Sequence, residues 1–260
     1  EAAMNVACVG ARPMAVVNCL NFGNPEHPEV MWELSEAVDG MGEACRAFDA
    51  PVVGGNVSLY NESAGSDIDP TPVVGLLGLV DRLDTPPPGV RLEDGGRLLL
   101  FGETDPVLGG SAWARDRGHP GAGPLPDLDL RSVSATAALV RGLVGDGLVQ
   151  GVHDVAEGGV GAALAEMAVA SGVGLTAARV PDHRFLFSES AGRAVACVHA
   201  DDLTAVEGRA ADAGVPVARI GVAGGDRVSV KGLLDLDLHE LTATWRDRLP
   251  SALGASAAAP

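Results

Sequence analysis

The sequence predicts an α/β (α+β) chain built as two successive units, the first rich in sheet and the second a regular alternation of strands and helices. Three observations carry this. Apolar runs of strand length recur along the chain, separated by stretches whose apolar residues fall three and four apart. Pro86-Pro87-Pro88-Gly89 breaks the pattern once, where neither a helix nor a central strand can continue. The 260 residues are 47% hydrophobic and 20% charged, enough apolar material for a large core or two ordinary ones.

In order, Glu1 to Val9 has the pattern of a helix end stopped by Gly10. It opens without a capping residue or an initiator Met, so a piece of a longer chain is expected. Pro13 to Leu20 is an apolar strand carrying Asn18, and Asn21-Phe-Gly-Asn-Pro25 is a turn by composition. Met31, Leu34, Val38, Met41 and Cys45 give Glu29 to Phe48 a helical period. Strands are expected from Pro51 and over Thr71 to Val80, joined by a polar connection from Ser63 to Pro70. The first unit then covers residues 1–83, and 84–95 is a linker.

The second unit spans 96–250 and opens with the strand Arg97 to Phe101. Ser111, after Gly109-Gly110, is a plausible N-cap for a short helix. A Pro/Gly-rich loop covers His119 to Asp129. Helices are expected over Ser132 to Val144, from Val160, over Leu203 to Ala213 and over Leu233 to Leu249. Strands are expected over Val149–Val155, Gly174–Val180, Arg193–His199 and Val217–Val222. The Ala-rich tail, 251–260, is expected to fray.

Composition excludes several functions. The formal charge is −17 and Lys231 is the only lysine, so nonspecific binding to nucleic acid or to an anionic membrane is not expected. Aromatics are 3%, so the core must be Val, Leu and Ala. Cys8, Cys19, Cys45 and Cys197 lie in apolar contexts with no C-x-x-C spacing, which reads as reduced, buried thiols in a cytoplasmic protein. No basic-then-apolar leader pattern and no apolar run of about 18 residues appears, so neither secretion nor membrane spanning is expected.

Three polar clusters could carry chemistry. In Gly54-Gly-Asn-Val-Ser-Leu-Tyr-Asn-Glu62, alternation places Asn56 and Ser58 on one strand face, after two glycines that let another backbone or a phosphate approach. A strand bent by glycine at a sheet corner would look the same. With Asn18, these neutral oxygen donors suit a Mg²⁺ whose charge is mostly balanced by phosphate. In Gly151-Val-His-Asp-Val-Ala-Glu-Gly-Gly159, Asp154 and Glu157 have the spacing of a capping box ahead of a glycine-opened helix, an anion-binding geometry or simply a capped helix. His153 and Asp154 are not expected to pair, because strand neighbours point to opposite faces. Phe187-Ser-Glu-Ser-Ala-Gly-Arg193 reads as a solvated loop, and the remaining histidines as surface groups. No Walker A loop, Ser-His-Asp set, dinucleotide fingerprint or glutaminase cysteine elbow occurs.

Four runs occur in order: Val17-Asn-Cys-Leu-Asn-Phe-Gly-Asn-Pro-Glu26, Pro28-Glu-Val-Met-Trp-Glu33, Gly54 to Glu62 and Gly151 to Gly159. Together they resemble the synthetase subunit of bacterial phosphoribosylformylglycinamidine synthase, over about the first 250 residues. The resemblance is to its C-terminal half, the second copy of a duplicated aminoimidazole ribonucleotide synthetase-like ATP-binding unit: a sheet-rich A domain followed by an α/β B domain. It implies an ATP-dependent ligase of purine biosynthesis, in which a formylglycinamide oxygen is phosphorylated and ammonia displaces the phosphate. By motif position, Asn18 and Gly55 would contact ATP, Asn56 would ligate Mg²⁺ and Ser58 would contact substrate. The catalytic histidine and most metal-binding carboxylates would lie in the N-terminal half, so no catalytic residue is expected here and the fragment should be inactive alone. His153 and Glu189 match substrate-site positions of the other copy and would shape an auxiliary site. Implied partners are the N-terminal half, a glutaminase subunit and a small accessory subunit, with self-association as a substitute. Alternatives are a structural half that binds at most a non-reacting nucleotide, or another synthetase of the superfamily.

Overall fold

A computed structural model describes residues 1–83 and 86–254. The first two residues of the expected linker and positions 255–260 of the expected tail lie outside the described residues.

The chain begins with α1 (Ala2–Cys8), ended at Gly10, whose φ of 77° a residue with a Cβ adopts only under strain. There follow β1 (Arg12–Asn21), α2 (Pro28–Ala47), β2 (Val52–Ser58), a small hairpin of β3 (Glu62–Ser63) and β4 (Ser66–Asp67), and β5 (Thr71–Leu79). Pro28 starts α2, with Glu29 in its first turn and Arg46 in its last, matching the helix dipole at both ends. The sheet runs β2-β1-β5, with β1 parallel to β2 and antiparallel to β5. Leu34, Ala37 and Met41 of α2 pack with Leu20, Phe22 and Val30 on one face. The opposite face is open: Val17, Val73 and Leu77 are 49%, 54% and 67% exposed.

The second body contains β6 (Arg97–Phe101), α3 (Ala112–Asp116), α4 (Leu130–Gly145), β7 (Gly151–Val155), α5 (Gly159–Ser171), β8 (Leu175–Ala177) and α6 (His183–Phe187). After them come β9 (Arg193–Val198), α7 (Leu203–Asp212), β10 (Val217–Ala223), β11 (Arg227–Val230), β12 (Leu234–Asp237) and α8 (Leu238–Ala252). Its seven strands run β12-β11-β8-β10-β6-β9-β7, antiparallel except where β11 meets β8. Helices cover both faces. On one, Leu99, Phe101, Ala196 and Val198 pack with Val140 and Leu143 of α4 and Val206 of α7. On the other, Leu98, Leu100, Val195 and Cys197 pack with Leu164 and Met167 of α5 and Leu238 of α8. Burial on both faces explains why β9, Arg-Ala-Val-Ala-Cys-Val, shows no polar alternation: all six residues are buried. Met4, Ala7 and Cys8 of α1 belong to the same core as α4 and β7, so the first helix is packed into the second body.

Three expectations fail. The helix expected over Leu233 to Leu249 opens as strand β12, and the helix begins at Leu238, where the Asp237 side chain accepts from Glu240 N. It continues through Pro250 to Ala252, so the expected fraying tail starts too early. Of the four thiols expected to be buried, Cys8 and Cys197 are, whereas Cys19 and Cys45 are partly exposed. Among the described residues, no helix is long and apolar enough to cross a membrane.

Candidate functional site

The polar strand is shaped by a bulge. Val16 pairs with Val52 but Val17 with Gly54, so β2 spends one extra residue, Val53, before the pairs Asn18–Gly55, Cys19–Asn56 and Asn21–Ser58. Opposed residues share a face, which divides the four candidates into two pairs. Asn18 and Gly55 lie on the α2 side, where Asn18 Nδ2 donates to Met41 Sδ at 3.3 Å. A Cβ at Gly55 would overlap both the side-chain oxygen and the carbonyl of Asn18, so glycine is demanded there by close approach. Asn56 and Ser58 share the open face, as their alternation requires. Asn56 is exposed, with Nδ2 3.8 Å from Cys19 Sγ. Ser58 Oγ donates to Asn61 Oδ1 at 3.2 Å, while Asn61 Nδ2 donates to the carbonyls of Phe22 and Ser58, both at 3.0 Å. The four residues thus lie on two paired strands, Asn18 on the central β1 and the other three on the edge strand β2, with Asn18 and Gly55 on one face of the sheet and Asn56 and Ser58 on the other.

The β3–β4 hairpin folds back on the turn before α2. Asp67 accepts from Asn24 N at 2.7 Å and meets His27 Nδ1 at 2.6 Å. The hydrogen bond and charge of Asp67 raise the His27 pKa, and the Asn24 amide, with His27, lowers that of Asp67. In the sequence this stretch shows only as a polar connection, because two-residue strands carry no periodicity.

The Gly151–Gly159 run is corrected twice. Asp154 lies on β7 and is buried, and α5 is preceded by Gly158 in the left-handed region with no side-chain cap, so there is no capping box. His153 and Asp154 do meet, Nδ1 to Oδ1 at 3.2 Å, because β7 is an edge strand around which the ring can reach.

The third cluster is not a solvated loop. Ser188, Ser190 and Arg193 are at most 3% exposed. Arg193 donates to the carbonyls of Ser190 (3.0 Å) and Ser188 (2.6 Å) and to Thr104 Oγ1 (3.1 Å). Burial pulls its pKa down to about 10, against the charge of Glu189. Ser188 and Ser190 both donate to the Asp105 carbonyl, at 2.5 and 2.9 Å. Glu189 Oε1 accepts from Ala112 N and Gly158 N, both at 2.8 Å, so the Gly-Gly-Ser, Glu-Gly-Gly and Ser-Glu-Ser motifs converge on one carboxylate. Beside them a cleft of about 710 Å³ is lined by Glu103, Asp105, Asp127, Asp129, Ser190 and Gly192. Among the described residues no group of three His, Cys, Asp or Glu is placed to hold a metal ion.

An open sheet edged by neutral amide and hydroxyl donors, in series with a covered seven-stranded sheet, defines an AIR synthase-like α/β protein. The chain belongs to the AIR synthase related protein family: the family's N-terminal domain matches residues 1–80 and its C-terminal domain residues 93–232. Among curated relatives it is 43% identical over 257 residues to phosphoribosylformylglycinamidine synthase subunit PurL of Moorella thermoacetica, covering 96% of this chain and 35% of that one. It is 40% identical over 271 residues to the subunit of the same name from Anaeromyxobacter sp. (strain K), covering 99% and 36%. The chain thus spans about a third of the length of the curated relatives it matches. In fold it matches T. maritima PurL complexed with FGAR, with a TM-score of 0.68 and 19% identity over 93% of this chain and 42% of that one. It also matches the hydrogenase maturation protein HypE, with a TM-score of 0.64 and 20% identity over 86% and 72%. The resemblance carried by the four motif runs is borne out.

Proposed function

We propose that the chain is part of an ATP-dependent ligase that converts formylglycinamide ribonucleotide, ammonia and ATP to formylglycinamidine ribonucleotide, ADP and phosphate in purine biosynthesis. In this reading residues 1–83 are its second A-type domain and 96–250 its second B-type domain. The observation that carries the proposal is the 43% identity over 96% of the chain to a subunit named for that synthase. T. maritima PurL, of the same fold, has solved structures complexed with ADP and with ATP, and there is a structure of PurLQS from the same organism.

The donors present fit the ligands. Gly55, lacking a Cβ, lets the side-chain oxygen of Asn18 close on the β2 backbone, so the two residues would meet the nucleotide together. Asn18 would orient the nucleotide from the α2 side, Asn56 would offer an amide oxygen to Mg²⁺, and Ser58 would hold the substrate. The metal ion, when bound, supplies positive charge for the phosphate oxygens. Phosphoryl transfer is mostly positioning and charge stabilisation, and neutral, held donors suit that role. None of these four residues carries a group that titrates near neutral pH, so the proton must be taken by a group outside this set.

The proposed partners are an N-terminal half, a glutaminase subunit that delivers ammonia and a small accessory subunit. Combining the chain with that half, ammonia and formylglycinamide ribonucleotide should give ADP release that Asn56→Ala abolishes. Undiminished turnover by the variant at saturating Mg²⁺ would remove Asn56 from the metal site. The open face bearing Val17, Val73 and Leu77 favours a second reading, a half whose main role is to complete an interface, by its absent partner or by self-association. Tight ATP binding by the isolated chain, without the other half, would favour an auxiliary nucleotide site contained in this half.

A further inference from the structure

The edge strand β7 carries a polar cluster that the proposed ligand site does not use. His153 is half-buried, with Nδ1 3.2 Å from Asp154 Oδ1 and Nε2 2.7 Å from Glu166 Oε2 on α5. A neutral imidazole has one donor and one acceptor, and ionised carboxylates only accept. Both contacts are therefore hydrogen bonds only when the ring carries two protons. Asp154 in turn takes a second pair of contacts from the first body: with its amide nitrogen turned to the carboxylate, Asn5 of α1 donates to Oδ1 at 2.9 Å and Oδ2 at 3.1 Å. The chain Asn5–Asp154–His153–Glu166 thus runs from the helix that opens the first family domain, through the sheet edge, to the opposite helical layer of the second.

We infer that these four residues form a proton-dependent clasp that fixes α1, and through it the first body, on the second. The imidazolium compensates a carboxylate that is only 8% exposed. When it loses its proton, Asp154 keeps Asn5 but has no cation, and an uncompensated buried carboxylate is strongly destabilising. The groups facing the cluster are few. β7 supplies Asp154, α5 supplies Glu166, and α1 supplies Asn5 and the Cys8 thiol. Burial and the charge of Asp154 push that thiol up to about 12, so it stays neutral. β9 contributes Val195 opposite His153. The connection before β6 brings Arg91 and Glu93, which pair with each other at 3.4 Å, Arg91 also donating to the Gln150 carbonyl.

Burial of the ring works to lower its pKa, but the bonds to the two carboxylates outweigh it, and the folded value lies above the ordinary one. The sign follows. The clasp is fully made below the ordinary histidine pKa, near 6.5, and is lost as pH rises through the higher folded value.

The test follows amide exchange of α1 in the whole chain from pH 5.5 to 9, alongside the His153 ring resonance. The expected result is a His153 midpoint above the ordinary value and α1 protection that falls by up to about tenfold per pH unit beyond that midpoint, after correction for intrinsic exchange. His153→Gln should remove this pH dependence. Glu166→Gln, a change at an exposed side chain that leaves the core intact, should move the midpoint to lower pH without abolishing the transition. A His153 midpoint at or below the ordinary value would overturn the proposal. So would α1 protection that ignores the His153 titration, or a Glu166→Gln midpoint equal to wild type. Because the readout is local to α1, the separate His27–Asp67 pair does not confuse it.

Discussion

Arg193 illustrates how this protein uses a charge in its interior. The guanidinium is fully buried, yet its donors reach two carbonyls and a hydroxyl rather than a carboxylate, and it bolts the strand β9 to the connection after β6. At a pKa of about 10 it remains cationic at neutral pH. Arg193→Met keeps volume but strands two carbonyls; with each unsatisfied group costing about 1–3 kcal/mol, the expected loss is about 3 kcal/mol, visible as a lower urea midpoint at unchanged slope. Gly55 makes a second residue-level case. Gly55→Ala must displace Asn18 and should cost about 1–3 kcal/mol, whereas Gly54→Ala meets nothing within 4 Å and should be near neutral. Thermal unfolding of the pair separates close approach from backbone freedom, because both glycines sit in the same strand. These roles differ in legibility. The double glycine and Asn56-x-Ser58 stand out in the sequence, because local pattern determines them. Arg193, Ser188 and Ser190 do not, since their partners lie as far away as Thr104 and Asp105, and Glu189 looks like any loop carboxylate until Ala112 and Gly158 are brought to it.

Secondary elements were legible in proportion to their length. The long helix α2 and the strands β1, β5, β6 and β9 sit within a few residues of where hydrophobic period places them. The missed ones are short: β3 and β4, α6, β11 and β12 each span five residues or fewer, too few to show a period, whereas β6, also five residues, is legible as the apolar run Leu-Leu-Leu-Phe. The β3–β4 hairpin is held to the turn before α2 by the Asp67 side chain, and it can be tested on that basis. His27, raised by Asp67, contributes its share of the attachment below about pH 6.5, and that share is lost as pH rises through its folded pKa. Asp67, lowered first by the Asn24 amide and then by His27, contributes above about pH 3.9, a share lost as pH falls through its own folded value. The attachment is therefore fullest between these limits. Asp67→Asn should return the His27 midpoint toward the ordinary value in an NMR titration, and an unmoved midpoint would show that another group holds the histidine.

At the scale of the whole molecule the two sheets are treated unequally. The seven-stranded sheet is covered on both faces, and its apolar residues are spent inside the chain. The three-stranded sheet has α2 on one side and, on the other, Val17, Val73 and Leu77 turned outward beside Asn56 and Ser58. An open apolar sheet face flanked by polar donors suits a protein–protein contact that also completes a ligand site, since the neighbouring surface would exclude water from those donors. Its position between two edge strands, β2 and β5, lets a partner sheet continue the contact on either side. Because Leu77 is 67% exposed, replacing it takes little from the chain's own core. Leu77→Asp should leave the melting temperature within about 2 °C of wild type. It should nevertheless abolish association with the proposed N-terminal half in analytical ultracentrifugation, because a carboxylate would be desolvated without a partner. Added salt distinguishes this from general repulsion between acidic surfaces: screening would restore an association lost to net charge, given the −17 of the chain, but not one lost to a buried aspartate. Full association of the variant at low salt would place the partner on another surface and detach Asn56 and Ser58 from any shared site.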